Sequence, residues 1–351
     1  MEYKERLENA ITAVKEAFPG MKLLENEPMR THCSFRVGGP VRMLASPGDV
    51  SSLAKLCCIL KENELAPLML GNCTNTVFPD EGMPEVFAVC TEKLTKLFLL
   101  EDGSIYAEAG VPLSRLAAFA QQNGLTGLEF ASGIPGSVGG GLMMNAGAYG
   151  GELKDCVESV VCYYLPEQRL YELENEKCAF EYRGSLFKKM PGNVILSAVF
   201  HLEKGDPEAI SARMRELNER RRDKQPLDLP SAGSAFKRPE GHYAAQLIDE
   251  AGLKGFTVGG AQVSEKHAGF VVNTGSATAA DIHELLKQVR KKVYENSGIL
   301  LEPEIILYPP DYRLEDRGPQ VPRNKFIDTA GMTSTSAPDD EAAESDAEGK
   351  E

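Results

Sequence analysis

The sequence lacks the features that would put it in a membrane, around a metal or in a disulfide framework. No run approaches the roughly 20 consecutive apolar residues needed to cross a bilayer. Residues 1–9 are charged and carry no apolar stretch of the kind a secretion signal needs. A cytoplasmic protein is therefore expected. The eight cysteines contain no C-x-x-C pair; Cys57 and Cys58 are adjacent and the others irregularly spread. That pattern suits small buried hydrophobes kept reduced better than a zinc site or paired disulfides. The five histidines, His32, His201, His242, His267 and His283, show no metal-ligand spacing, and no metal is expected. Basic charge is also scarce, with 38 Lys and Arg against 52 Asp and Glu and a net charge of −14. This excludes a general nucleic-acid binder. Seven acids and one lysine lie after position 330, so the rest of the chain can still build a locally basic pocket for an anion.

What remains is a globular composition. The 351 residues, 42% of them hydrophobic, allow two or three compact units. Helices are legible from their caps and apolar stripes. Asp49 can cap one over 50–63 with Leu53, Cys57 and Leu60 on its buried face. Pro112 can open a second, carrying Leu113, Leu116, Ala117 and Ala120 and stopped by Asn123-Gly124. Asp206-Pro207 begins a third that runs through Arg220–Arg222 to Pro226. Thr278 and Asp281 form a capping box for a fourth, which Gly298 ends. Strands are expected at 85–90, 104–109, 157–163, 194–202, 270–273 and 304–307. Strands and helices mix without a regular alternation, so an α+β class is favoured over a doubly wound sheet. Boundaries are drawn near residue 75 and near Pro226, giving units at 1–75, 76–225 and 226–310. An acidic tail at 311–351 is expected to be disordered.

The most informative stretch is 127–151, in which nine of 25 residues are glycine, far above the usual 7% or so. Glycine lets the main chain take positive φ and lets a ligand approach closely. Successive exposed N–H groups can then cradle an anion such as a pyrophosphate. The spacing is neither G-x-G-x-x-G nor G-x-x-x-x-G-K-[ST], so dinucleotide-binding Rossmann and P-loop readings fail. A tightly turned connector is the plain alternative. A second loop of similar chemistry, 70–75, follows an apolar run, and two such loops favour a cofactor cradle without naming the cofactor.

Ordered motifs narrow the choice. SFRVGG stands at 34–39, GNCTN at 71–75, EFASGIPGSVGG at 129–140, NAGAYGGE at 145–152 and YRGS at 182–185. GSAF follows at 233–236, AAQLIDEAGLKG at 244–255, GGAQVSEKHAGFVVN at 259–273 and LEPE at 301–304. In this order they resemble the UDP-N-acetylenolpyruvoylglucosamine reductases of bacterial cell-wall synthesis, over nearly the whole chain from about residue 31 to 307. The short connection between 245 and 266 is similar to the branch without an extra tyrosine loop. The resemblance implies FAD held between two N-terminal subdomains of the vanillyl-alcohol-oxidase (PCMH) type, with a C-terminal α+β substrate domain. It implies NADPH as cosubstrate and UDP-N-acetylglucosamine enolpyruvate as substrate, with no nucleic acid, membrane or obligate protein partner.

Residue by residue, the resemblance assigns FAD contacts to Gly71, Asn72, Cys73, Thr74, Asn75, Gly133, Gly136, Ser137 and Gly139, with Asn145 and Gly147 beyond them. Cys73 departs from a family glycine and Thr74 from a serine. A side chain at Cys73 must tolerate a glycine-like backbone or point away from the flavin. Ser234 matches the family's proton donor, and Arg183 and Glu304 the other two catalytic positions. Arginine offers a planar fork to a carboxylate, and a buried Glu304 with a raised pKa could donate a hydrogen bond to an enolate. Arg221, Gln225, Lys237, Arg238 and His267 match or neighbour substrate positions. A different FAD oxidase of the same fold, or a non-catalytic nucleotide-binding regulator, are the rival readings. The Arg183, Ser234 and Glu304 trio argues against both.

Overall fold

A computed structural model describes residues 2–190, 192–309 and the short strand Phe326–Ile327. The chain begins with a helix, Tyr3–Ala17, whose Leu7, Ala10, Ile11 and Val14 fall one turn apart and are buried. It packs with the helix Val50–Glu62 on one face of a four-stranded sheet. Asp49 caps that second helix as expected, accepting the Ser52 N–H at 2.7 Å. The sheet runs Lys22–Pro28, Pro40–Ser46, Met83–Cys90, Leu68–Leu70, with Met83–Cys90 paired in parallel to both Pro40–Ser46 and Leu68–Leu70. Because Met83–Cys90 completes this sheet, a boundary at residue 75 cuts through the first unit, and the chain leaves it only after Cys90.

The second sheet has six strands in the order Phe326–Ile327, Arg169–Glu174, Val157–Tyr164, Asn193–Phe200, Ile105–Glu108, Leu97–Leu99. Asn193–Phe200 is almost wholly buried, which explains its continuous apolar run; it stops at Phe200, short of the expected 202. Helices Leu113–Gln122 and Val138–Met143 cover this sheet. Pro112 is the N-cap of the first of them rather than its first helical residue. The strand Phe326–Ile327 pairs with Leu170 and Tyr171; the rest of 311–351, where a disordered tail is expected, lies outside the described residues.

The helix Pro207–Lys224, with Asp206 as N-cap, leads to the third unit. There Ser231–Ser234, Phe270–Asn273, Ala261–Val263 and Thr257–Val258 form a sheet, packed under Ala244–Glu250 and Ala279–Ser297. The Thr278–Asp281 capping box is formed, and Gly298 ends the long helix at φ 72°. This unit's core is continuous with the second face of the first sheet, Val41, Leu44, Leu70 and Ala88 packing in one cluster with Ile282, Leu285 and Val289. The chain then returns to the first unit, where Ile306–Leu307 pairs in parallel with Thr76–Val77. Among the described residues no helix is long and apolar enough to cross a membrane.

Candidate active site

The three units meet around a cleft of about 1310 Å³. Its floor is made by the two small-residue loops. They touch directly, the Thr74 hydroxyl donating to the Pro135 carbonyl at 3.2 Å. A Cβ added at Gly71 would stand 2.8 Å from Ser137 Oγ, and one at Gly136, where φ is 133°, would meet Thr74 Oγ1 at 3.3 Å. The loops therefore approach as closely as they do only because these positions lack side chains. Cys73 takes the glycine-like backbone, at φ 48°. Its sulfur turns back to the Gly71 carbonyl at 3.5 Å, and burial pushes its thiol pKa up.

Backbone donors decide whether this floor suits an anion. The N–H groups of Asn72, Cys73, Thr74, Asn75, Gly136 and Ser137 donate to no other described residue. Unpaired main-chain donors beside a cleft need a partner, and a diphosphate supplies one. The N–H groups of residues 138–141 are committed instead, to Val111 O, Ala109 O, Ser137 Oγ and Ser137 O. The available nest is thus narrower than the glycine run. Gly139 lines the cleft but is needed for packing, since a Cβ there would lie 2.9 Å from that of Ala109. Two buried polar atoms in residues lining the cleft also have no partner among the described residues, Thr76 Oγ1 and Arg221 Nε.

Asn145 and Asn75 differ from expectation. Asn145 is fully buried and outside the cleft lining. Its amide nitrogen donates to Glu152 Oε2 and the Glu181 carbonyl, and its oxygen accepts from the Lys154 N–H. Both amide hydrogens are spent, so the side chain has no donor left for a ligand. Asn75 lines the cleft, but its amide nitrogen donates to the Glu304 carbonyl at 3.0 Å. Gly147 lines the cleft with its carbonyl accepting from Arg183 Nη2 at 3.2 Å.

Arg183, Ser234 and Glu304, 121 and 70 positions apart at their extremes of spacing to Glu304, all line the cleft. Arg183 Nε donates to Glu304 Oε1 at 2.7 Å. With Nε on Glu304 and Nη2 on Gly147, the guanidinium does not present a free two-pronged fork, unlike the arrangement expected from sequence. Burial drives the Glu304 pKa above the ordinary carboxylate value; Arg183, Lys188 and Lys237 oppose this without cancelling it. Glu304 sits just before its strand rather than in it, fixed by its N–H to the Ala235 carbonyl at 2.9 Å. Ser234 is set into the cleft by a register shift in the pairing of Ser231–Ser234 with Phe270–Asn273, Gly233 taking φ 75°. Its hydroxyl has no partner among the described residues.

The helix Pro207–Lys224 brings Arg221 and Gln225 to the cleft. Arg221, only 7% exposed, donates through Nη1 to the Gly133 carbonyl. It therefore braces the glycine loop. Lys237, Arg238 and His267 do not line the cleft. Lys237 pairs with Glu302, and Arg238 covers the Tyr243 ring at 4.1 Å. The His267 Nδ1 accepts from the Gly269 N–H at 3.1 Å, and burial lowers its pKa. Sequence reading missed Arg36, Lys188 and Arg222, three further cations on the lining. With Arg183 and Arg221 they outnumber Asp228 and Glu304, so the cleft is basic within an acidic chain. Among the described residues no group of three or more His, Cys, Asp or Glu could hold a metal, and all eight cysteines are free.

A cleft with this floor belongs to the FAD-binding class of proteins, and a family model described as an FAD binding domain matches residues 41–167. A second, described as the UDP-N-acetylenolpyruvoylglucosamine reductase C-terminal domain, matches residues 225–308. The chain is 46% identical over 298 residues to the UDP-N-acetylenolpyruvoylglucosamine reductase of Caldanaerobacter subterraneus, covering 84% of this chain and 96% of that one. Against that of Clostridioides difficile it is 44% identical, over 80% and 91% of the two chains. The solved structure of the Thermus caldophilus enzyme of this name superposes with a TM-score of 0.70 at 32% identity, covering 82% of this chain and 99% of that one. The chain belongs to the UDP-N-acetylenolpyruvoylglucosamine reductase family, and the expected α+β FAD-binding fold is borne out.

Proposed function

We propose that this chain is an FAD-dependent reductase that uses NADPH to convert UDP-N-acetylglucosamine enolpyruvate to UDP-N-acetylmuramate, supplying peptidoglycan synthesis in the cytoplasm. The observation that carries this reading is the convergence of Arg183, Ser234 and Glu304 on a basic cleft whose floor is a set of unpaired backbone donors. The loops at 71–75 and 133–137 would hold the FAD diphosphate, braced by Arg221. Bound FAD would supply the hydride chemistry, taking a hydride from NADPH and delivering it to the terminal enolpyruvyl carbon.

The chain's own task is then charge and proton management. As the terminal carbon gains hydride, negative charge appears on the carbon bearing the carboxylate. Burial raises the Glu304 pKa, which favours the protonated form that can donate a hydrogen bond to the resulting enolate, and Arg183 offsets its charge. Ser234 gives its proton to that carbon; the hydroxyl is unencumbered and faces the cleft. Serine is a weak acid, so it serves only next to a strongly basic carbanion. The basic lining draws in the diphosphate of the substrate, and Arg36, Arg222 and Gln225 are polar groups on that lining.

Stopped-flow spectroscopy of the flavin tests this. NADPH should bleach the bound flavin, and the enolpyruvyl substrate should restore its absorbance. Reduced flavin that the substrate leaves reduced rejects the assignment and favours another oxidoreductase of the same fold. Ser234→Ala should leave bleaching by NADPH nearly unchanged and slow restoration by about 10²-fold or more, the contribution of a positioned proton donor. Equal loss in both half-reactions would mean that Ser234 only shapes the turn.

A further inference from the structure

Arg183 occupies a conformation that its side chain does not favour. Its φ is 54°, in the left-handed region that L-residues avoid. The tight turn around it is closed by the Glu181 N–H on the Gly184 carbonyl at 3.0 Å and the Gly184 N–H on the Glu181 carbonyl at 3.1 Å. These bonds close the turn but leave the carbonyl of Arg183 itself unserved. Lys188 serves it, its Nζ donating to the Arg183 oxygen at 3.0 Å.

The two neighbouring lysines are unlike. Lys189 is exposed and pairs with the Glu181 carboxylate at 2.8 Å. Lys188 is half-buried, lines the cleft and forms no ion pair among the described residues. Its short helix, Leu186–Lys189, is anchored by the buried Phe187 and by Ser185 Oγ on the Met143 carbonyl at 2.9 Å. An ammonium that gives up water without a carboxylate partner needs a reason. Here the reason is the backbone of the arginine that reaches Glu304.

We propose that Lys188 is a positioning residue of the reaction site, fastening Arg183 by its carbonyl in the left-handed turn from which the guanidinium reaches Glu304. The proposal rests on the role given to Arg183 above. The charged groups facing Lys188 are Lys237, Glu304, Glu302 and Glu181. Burial, followed by Lys237, lowers its pKa while the three carboxyls oppose. Lys188 in turn is one of the cations that restrain the rise in the Glu304 pKa. Losing it therefore frees the Arg183 turn and raises the Glu304 proton affinity further.

The test uses the full-length FAD-loaded protein and compares Lys188→Met, which keeps the length and loses the donor, with Lys188→Arg, which keeps a donor. In Lys188→Met, restoration of flavin absorbance by substrate should slow by about tenfold or more, the loss expected for one charge-assisted hydrogen bond. The Glu304-controlled limb of its pH profile should move to higher pH, with flavin content unchanged. Lys188→Arg should recover most of the rate and the wild-type profile. An unchanged rate in Lys188→Met, or a slower rate with an unshifted profile, overturns the proposal. So does loss of flavin in both variants, which marks a scaffold role. A crystal structure of Lys188→Met with Arg183 still left-handed and still on Glu304 also overturns it, whatever the activity. Wild-type flavin that substrate cannot reoxidise rejects the proposed function instead, and the crystal structure then decides the positioning claim alone.

Discussion

Replacing Arg183 by glycine and by alanine separates the backbone strain at the site from its chemistry. Both variants lose the bond to Glu304 at 2.7 Å and the one to the Gly147 carbonyl. They differ only in whether a Cβ must be held at φ 54°. The left-handed conformation costs an L-residue about 1–2 kcal/mol. Glycine escapes that cost but loses about 0.5–1 kcal/mol more chain entropy on folding. The balance favours Arg183→Gly over Arg183→Ala by about 0.5–1 kcal/mol, the reverse of the usual order in regular structure. For a chain of this size that is about 1 °C in melting temperature, so chemical unfolding is the better readout.

Urea unfolding followed by far-UV circular dichroism at saturating FAD reads the difference. Ala212→Gly supplies the control: Ala212 is exposed inside the helix Pro207–Lys224, and glycine there should cost about 1 kcal/mol. Flavin reoxidation by substrate should be equally slow in the two Arg183 variants, since neither has a guanidinium. An Arg183→Ala protein as stable as Arg183→Gly would show that the turn relaxes, and the strain argument would fall together with the need for Lys188 to hold it.

Two further outcomes follow from the cleft. Gly139→Ala puts a Cβ 2.9 Å from that of Ala109, whose carbonyl already accepts the Gly139 N–H; the 136–140 loop must lift, and FAD affinity measured by flavin fluorescence should fall by about tenfold, or 1.4 kcal/mol, while unchanged affinity rejects the packing role. Glu304 has a raised pKa in the folded chain, so the fold binds its proton more tightly than the unfolded chain does. Its contribution to stability is present below the unfolded value of about 4.3 and is lost as pH rises through the folded one. Glu304→Gln should accordingly gain melting temperature relative to wild type as pH rises above the unfolded value, and a relative loss on that rise contradicts the raised pKa.

Features that depend on neighbours in sequence were legible before any coordinates. Asp49, Pro207 with Asp206, and the Thr278–Asp281 box act within one helical turn, so the residue types alone specify them. The helix Tyr3–Ala17 was not among the expected elements, although Leu7, Ala10, Ile11 and Val14 carry its buried face at helical spacing. What the sequence could not specify was non-local. Nothing near Met83–Cys90 indicates that it lies between Pro40–Ser46 and Leu68–Leu70, and so the first boundary was drawn too early. Asn145 has the right chemistry for a ligand contact, and only its distant partners Glu152, Glu181 and Lys154 consume that chemistry. Lys188 carries no recognisable signature at all beyond its place in a basic pair, because its function is to hold a carbonyl.

The site's geometry is governed by one extended segment, 302–308, which stitches two units together. On one side its Glu302 carbonyl accepts the Lys237 N–H at 2.8 Å, and its Glu304 N–H donates to the Ala235 carbonyl at 2.9 Å. On the other, the Ile306 N–H donates to Asn75 O at 2.9 Å and the Tyr308 N–H to Val77 O at 3.0 Å. Asn75 Nδ2 closes the seam on the Glu304 carbonyl. The Glu304 carboxyl is therefore registered at once against the loop proposed to hold the flavin and against the strand that carries Ser234. A buried carboxyl can work on an enolate only if its distance from hydride and proton sources is fixed to a few tenths of an ångström. Asn75 achieves this by spending its amide on the seam, so its part in the proposed reaction is to set the distance between cofactor loop and acid, while the backbone N–H groups around it meet the anion.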